Sequence, residues 1–100
     1  MLMIRDIMYC KPGKVRALVD KFKAMQAVGH RTGMPKSRIY TDLSAERFWT
    51  VVSEMDVESV EAFMKMGEGD AEAMKEMEAL MKGYHDLVDH GRREIYNVEV

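Results

Sequence analysis

The sequence has a single cysteine, two prolines and a single tryptophan in 100 residues. One thiol has no partner within the chain, so an internal disulfide is excluded, and a lone cysteine is typical of a reducing compartment. No apolar run approaches the roughly 20 residues that a membrane span needs. The opening MLMIRDIMYCK lacks the basic end and long apolar stretch of a signal peptide. We therefore expect a cytoplasmic protein without a membrane partner.

Neither sign of charge dominates the chain. Fifteen basic and 17 acidic residues give a formal net charge of -2, whereas nucleic-acid binding typically requires a basic stripe. We therefore expect no nucleic-acid partner. The sequence contains no G-x-G-x-x-G, P-loop, C-x-x-C or G-x-S-x-G motif, which leaves nucleotide hydrolysis, disulfide redox and serine-hydrolase chemistry without support. We predict no cofactor.

Methionine is abundant, with 11 residues in the chain, and hydrophobic residues make up 47% of it. Most of the methionines fall at helical spacing or in strand-like runs. We interpret them as adaptable core filler, with a promiscuous binding surface as the alternative. A chain of this length and composition fits one domain, residues 1–100, around a single two-layer core.

The hydrophobic pattern predicts the order strand, helix, strand, strand, helix, strand. The first strand is LMIRDIMYC, and the first helix runs from Lys14 to a glycine stop at Gly29. Asp56 is the predicted N-cap of the second helix, which is interrupted at GEGD, and Asp70 caps its second segment. Gly91 ends that segment before the final strand, REIYNVEV. This order predicts an α+β, ferredoxin-like βαββαβ fold, with a four-stranded antiparallel sheet and helices on one face.

The stretch SRIYTDLSAERFWTVVSEM, residues 37–55, predicts a hairpin in which Leu43 pairs with Arg47. This pairing directs five residues toward the helices, and these are Ile39, Leu43, Trp49, Val51 and Met55. The opposite face then carries Arg38, Tyr40, Asp42, Phe48, Thr50 and Val52. Together with Ile7 and Tyr9, that face forms a larger apolar patch than monomers usually expose. We therefore expect a homodimer that stacks the two sheets through their open faces.

KPGKV after the first strand, RFWTVVSEMDVESVEAF across the third strand and second helix, and the element order resemble the dimeric α+β barrel superfamily. The similarity is greatest to its antibiotic-biosynthesis-monooxygenase-like and NIPSNAP-like small proteins, and it covers nearly the whole chain. It implies a dimeric α/β barrel. The superfamily includes cofactor-free oxygenases of polycyclic phenols, haem-degrading oxygenases, lactone isomerases and many proteins of unknown activity.

The haem-degrading members imply an asparagine on the first strand, a tryptophan ending the third strand and a histidine on the second helix. The nearest positions here hold Asp6, Met55 and His85. Two of the three depart from the pattern, which disfavours haem degradation.

Asp6 is the first candidate catalytic residue, because the resemblance places it on the apolar helix-facing side of the sheet. Burial disfavours the charged form of a carboxylate unless an arginine or hydrogen-bond donor meets it, and such a carboxyl can act as a general base. An ordinary salt bridge is the alternative. His85, next to Tyr84, is the second candidate, as an inward-facing acid, base or hydrogen-bond donor. His85 and His90 lie about 140° apart around a helix, so we predict no metal site.

Six residues are predicted to bind the ligand, and these are Met8, Arg38, Tyr40, Trp49, Met55 and Tyr84. Packing in the core is the alternative for Trp49. The sequence thus predicts a homodimer that binds a small apolar or aromatic molecule, with cofactor-independent monooxygenase or isomerase activity. A non-catalytic ligand-binding or stress-related module, and a structural dimer whose pocket is filled by methionines, remain the alternatives.

Overall fold

The computed structural model describes residues 1–66, 68 and 70–100. Its elements, in chain order, are β1 (Leu2–Cys10), α1 (Val15–Arg31), β2 (Arg38–Thr41), β3 (Thr50–Val57), α2 (Val60–Met64), α3 (Ala71–Met81), α4 (Tyr84–Leu87) and β4 (Val88–Asn97). No helix in this part of the chain is both long and apolar enough to cross a membrane.

Within the described residues, four strands form one antiparallel sheet in the order β2-β3-β1-β4. The central strand β1 pairs with β3 on one side and β4 on the other. The helices meet the face that we call the inner face, and the opposite face is the outer face. This is the ferredoxin-like arrangement, so the predicted fold class is confirmed. The dimeric barrel stays a prediction.

The core lies between α1 and one end of the inner face. Its buried residues form one cluster, which consists of Met8, Cys10, Leu18, Val19, Val51 and Val88. Leu18 and Val51 are completely removed from solvent. Burial, followed by the negative charges of Asp42 and Asp89, raises the pKa of the Cys10 thiol. A buried thiol that is held protonated is unreactive, which gives Cys10 a structural role.

Two predicted helix boundaries are wrong at their glycines. Helix α1 continues past Gly29 to Arg31, and the glycine with a left-handed backbone is Gly33, at φ 77°. In the second half of the chain, α3 ends at Met81 and Gly83 turns the backbone at φ 83°. Gly91 therefore does not end a helix, because it lies inside β4 and faces Met8 of β1.

The predicted caps have different outcomes. Asp70 is confirmed, since its Oδ1 accepts a hydrogen bond from the Ala73 amide at 3.0 Å. Asp56 is wrong as an N-cap, because β3 continues through Val57, which is buried and pairs with the start of β1. Ser59 caps α2 instead. The predicted interruption at GEGD includes Gly67 and Gly69, which lie outside the described residues.

The hairpin pairs two residues away from its predicted register. Thr41 lies opposite Val51, and Tyr40 lies opposite Val52. A shift of one residue would exchange the two faces, whereas a shift of two preserves them. Ile39 and Val51 therefore face the helices, and Tyr40 and Val52 face outward, as predicted.

The loop between β2 and β3, residues 42–49, replaces the short turn that the sequence predicted. Asp42 Oδ1 accepts a hydrogen bond from the Thr50 amide at 2.9 Å, and the Thr50 hydroxyl donates to the Arg47 carbonyl at 2.8 Å. Local side-chain bonds of this kind compete with strand pairing. Because pairing stops at Thr41, the placement of Leu43 and Trp49 in the core is wrong. Leu43 is fully exposed, and Trp49 is 44% exposed with φ 63°.

The outer face carries less exposed apolar surface than predicted. Ile7 and Tyr9 are both buried there, and Val52 is half-buried. Long charged side chains lie among them, and Arg5 Nε donates to Glu54 at 2.7 Å. Phe48, expected on this face, belongs to the loop and is 86% exposed. Tyr96 of β4 is 46% exposed on this face, and Leu43, Phe48 and Trp49 of the loop add further exposed apolar surface.

Candidate functional site

A cavity of about 530 Å³ lies between the second half of α1 and the inner face of the sheet. Its apolar lining comes from α1, α3, the sheet and the loop after α1, and includes Phe22, Met25, Met34, Ile39, Met55 and Met77. Small residues face the same space, among them Gly29 on α1 and Ser53 on β3. Gly29 has no side chain and that of Ser53 is short, so neither residue fills the gap between helix and sheet. The core packs at the other end of α1, which leaves this end open.

An adjoining groove of about 520 Å³ shares Asp6, Phe22 and Met25 with the cavity. It continues over Met8 and reaches Tyr84 of α4. Asp6 therefore stands at the boundary between two spaces. A ligand in either space can reach its carboxylate.

Asp6 is held by an arginine on the neighbouring strand. It lies opposite Ser53 on β3 and opposite Arg93 on β4. Arg93 Nε donates to Oδ1 at 2.6 Å and Nη2 donates to Oδ2 at 3.2 Å, and these hydrogen bonds to Asp6 raise the pKa of Arg93. The guanidinium also lies over the Phe63 ring, 5.0 Å from its centroid. The salt-bridge alternative for Asp6 is confirmed, with one hydrogen bond from Arg93 to each carboxylate oxygen.

Tyr84 supplies a hydroxyl to the groove. Burial, and then the negative charge of Asp6, raises the pKa of its phenol, so the group stays protonated at neutral pH. A neutral phenol both donates and accepts hydrogen bonds. The groove thus combines a carboxylate, a guanidinium and a phenol on a largely apolar floor.

The structure brings together four of the predicted site residues. Asp6 and Met55 line the cavity, and Asp6, Met8 and Tyr84 line the groove. His85 is exposed and lines neither space, which makes the predicted inward orientation wrong. Helix α4 has only four residues. It turns Tyr84 and Leu87 toward the core and leaves His85 beside Tyr84, edge to face, with 5.3 Å between ring centroids.

The other predicted ligand residues lie away from this site. Arg38 and Tyr40 project from the outer face, where the Arg38 guanidinium lies 5.3 Å from the Tyr40 ring centroid. The Tyr40 hydroxyl donates to Glu54 at 2.9 Å. Trp49 is in the loop that follows β2. The sheet therefore separates Arg38 and Tyr40 from Asp6, and one ligand cannot contact both groups.

Sequence reasoning missed most of the cavity wall and the partner of Asp6. The pairing of Arg93 with Asp6 could have been predicted, because alternate residues of REIYNVEV fall opposite residues of the first strand. Phe22 and Met25 belong to the predicted stripe of α1, but no pattern distinguishes a stripe that fills a core from one that borders a cavity. Met34 follows a turn whose path no periodicity predicts.

Among the described residues, no group of three or more histidine, cysteine, aspartate or glutamate side chains is placed to hold a metal ion. No protein-family model and no curated protein matches the sequence. Solved structures do match its fold. An uncharacterized NIPSNAP domain protein from Burkholderia xenovorans superimposes with a TM-score of 0.76 at 16% identity, covering 98% of this chain and 94% of that chain.

A NIPSNAP family protein of unknown function from Agrobacterium tumefaciens gives a TM-score of 0.75 at 11% identity, with 96% and 86% coverage. An antibiotic biosynthesis monooxygenase gives 0.71 at 9% identity, with 98% of both chains covered. The chain shares the NIPSNAP and antibiotic biosynthesis monooxygenase fold. The resemblance seen in the sequence is therefore confirmed for the fold. Identities of this size establish nothing about a reaction, because one fold supports many functions.

Proposed function

We propose that this protein binds a small apolar or aromatic molecule in the cavity between α1 and the sheet. The supporting observation is a concave space of about 530 Å³, within the roughly 300–1,000 Å³ of ligand pockets. Its walls are mainly apolar, and a few polar groups meet at Asp6 and Ser53. Flexible methionine side chains adapt to ligands of different shapes. This combination favours binding over a purely structural role.

The polar end of the site orients the ligand in this proposal. In the cavity, Asp6 accepts hydrogen bonds and Ser53 accepts or donates them, and Arg93 and Tyr84 donate them where Asp6 borders the adjoining groove. Gln26 is less available, since its Nε2 donates to the Ser37 carbonyl at 2.9 Å. A ligand with one polar substituent on an apolar body therefore fits best.

Cofactor-independent monooxygenase or isomerase activity is an extension of the same proposal. Both reactions begin with removal of a proton from the bound molecule, and Asp6 is the only candidate base of our two that lines the site. Each Asp6 oxygen accepts one hydrogen bond from Arg93 and keeps a further lone pair, which would accept the proton from the ligand. The fold of the antibiotic biosynthesis monooxygenase is compatible with this extension.

A homodimer and a cytoplasmic location complete the proposal. On the outer face Arg5 contacts both Glu54 and Glu94. A surface that carries charges of both signs suits the self-complementary contact of a twofold dimer. Exposed Phe48 and Trp49 at one end of this face would gain from being covered by a second copy. The unpaired, buried Cys10 is typical of a reducing compartment.

Binding can be tested with N-phenyl-1-naphthylamine, a neutral apolar dye whose fluorescence rises in apolar surroundings. We expect saturable binding to the wild type, and Ser53→Phe should weaken it about tenfold or more by filling the cavity. Ser44→Phe places the same ring in the exposed loop and should leave the affinity unchanged. Asp6→Asn should also bind the dye, because binding of this neutral molecule requires no proton acceptor. Equal binding by the Ser53→Phe and Ser44→Phe variants, both folded by circular dichroism, would show that the dye binds elsewhere.

A further inference from the structure

Two arginines and a histidine surround Tyr9 on the outer face, and we call Tyr9, Arg47, His90 and Arg92 the Tyr9 cluster. Tyr9 lies opposite Thr50 on β3 and His90 on β4. The guanidinium carbon of Arg47 is 4.6 Å from the centroid of the tyrosine ring, and that of Arg92 is 5.9 Å from it. The His90 ring centroid is 4.9 Å away. Two permanent positive charges therefore share one aromatic ring.

Hydrogen bonds fix both guanidinium groups in the cluster. Arg92 Nη1 donates to the Tyr9 hydroxyl at 2.5 Å, and Arg47 Nη1 lies 2.9 Å from His90 Nε2, which accepts when the ring is neutral. The Arg47 backbone is anchored as well, since its carbonyl accepts from the Thr50 hydroxyl. The positions of these donors are thus set by the fold before any ligand arrives, which lowers the entropic cost of binding.

In the described part of the chain, the two guanidinium groups of the cluster have only one acid within 4.0 Å between them. Among the described residues, no carboxylate lies within 4.0 Å of Arg47. Arg92 meets one acid, with Nε 3.3 Å from Glu94, but Glu94 also accepts hydrogen bonds from Arg5 and Tyr96. Each guanidinium has five N–H donors. Most of those on Arg47 are left for another partner.

We propose that the Tyr9 cluster binds an oxyanion, a carboxylate or phosphate group, between Arg47 and Arg92. Planar guanidinium groups match these anions with paired, charge-assisted hydrogen bonds. An anion also relieves the repulsion between two cations that lie over the same ring. The site is separate from the apolar cavity, because Tyr9 projects from the outer face whereas Asp6 and Met8 face the helices.

Arg38 illustrates why one arginine stacked on an aromatic ring does not by itself form an anion site. It also lies over an aromatic ring on the outer face, that of Tyr40. Glu54 stands beside that pair, accepts a hydrogen bond from Tyr40 and feels the charge of Arg38. One cation next to a carboxylate offers little to a further anion. Arg38 is therefore the matched control for Arg47.

The oxyanion has two possible sources with the same chemistry. It is either a small free anion or an acidic side chain of a second copy stacked on this face.

Inorganic phosphate serves as the probe, with chloride at equal ionic strength as the reference. We expect saturable changes in the amide NMR signals of Tyr9, Arg47 and Arg92 with phosphate and none with chloride. Arg47→Gln should weaken phosphate binding about tenfold, whereas Arg38→Gln should leave it unchanged.

The two sources are distinguished by sedimentation of the wild type at saturating phosphate. A shift toward monomer would show that phosphate displaces a carboxylate of the second copy, and an unchanged mass would assign the site to a free anion. The proposal is overturned if chloride reproduces the phosphate response, or if Arg47→Gln and Arg38→Gln lose it equally. Amide spectra with native dispersion establish that both variants fold, and both Arg47 and Arg38 are themselves exposed.

Discussion

Replacing Gly91 with alanine is expected to lower the free energy of unfolding by about 1–3 kcal/mol, the usual cost of adding atoms to a packed site. A Cβ atom at Gly91 would lie 2.7 Å from the Ile7 carbonyl oxygen and 3.6 Å from Met8 Cα. These are backbone atoms of the central strand, so they cannot move aside by a rotamer change. Relief would require β1 and β4 to separate at the Met8–Gly91 pair, close to the register shift between Tyr9 and Cys10.

Gly29→Ala is the control for this variant. A Cβ there would meet Met34 at 3.4 Å and Met77 at 3.7 Å, which are ordinary contacts with flexible side chains. Alanine also favours a helix over glycine by roughly 1 kcal/mol. We expect urea denaturation to show Gly29→Ala unchanged or more stable and Gly91→Ala less stable. Equal midpoints for the two variants would contradict the close strand approach.

Phe48→Asp is expected to convert the proposed dimer into a monomer. If Phe48 packs on a second copy, its loss and the burial of a charge raise the dissociation constant about 30-fold or more, as at an interface hot spot worth about 2 kcal/mol. Phe48 is 86% exposed in the single chain, so the substitution should not disturb the monomer. Sedimentation across a concentration series measures the change.

Met64→Asp is the matched control for the dimer. Met64 is also largely exposed, but it ends α2 on the helical side of the sheet. We expect this variant to keep the mass of two chains. A wild type that sediments as a single chain at micromolar concentration would remove the dimer from the account, and equal dissociation of both variants would place the contact elsewhere.

Much of the fold was predictable because its strands and first helix carry strong local patterns. β1 reads as an uninterrupted β-prone run, and Asp70 sits where a helix cap is needed. The register of the hairpin was wrong by two residues, but Ile39 and Tyr40 still lie on their predicted faces, because a two-residue shift does not exchange the two faces of a strand. The order of elements then restricts the sheet to few topologies.

Predictions from the sequence were wrong where tertiary contacts decide between two local structures that the same residues could form. Asp56 is a good cap by composition, but pairing of Val57 with Leu2 extends β3 beyond it. Trp49 follows an alternating pattern, but the hydrogen bonds of Thr50 close the loop directly after Trp49 and leave Trp49 inside the loop. In each case a long-range pairing or a local side-chain bond outweighs the propensity of one residue.

The candidate site was predicted only in part for a related reason. Asp6, Met8 and Met55 face the helices and Tyr84 of α4 faces the core, and their positions follow from strand parity or helix spacing. Whether a helix packs tightly on a sheet or leaves a cavity depends on the sizes of residues brought together from distant segments. Gly29 and Ser53 illustrate this, since neither carries a sequence signal for an open space.

The most direct test of the apolar-ligand cavity is an NMR titration of the protein, labelled with ¹³C at its methionine methyl groups, with N-phenyl-1-naphthylamine. Four methionines line the cavity and should shift together with one saturation curve, and these are Met25, Met34, Met55 and Met77. Met1 and Met64, which are 67% and 73% exposed and line neither the cavity nor the groove, should stay unchanged. Saturable shifts at Met1 or Met64 with silent cavity methyl groups, or no saturable shift at any methionine, would contradict the account.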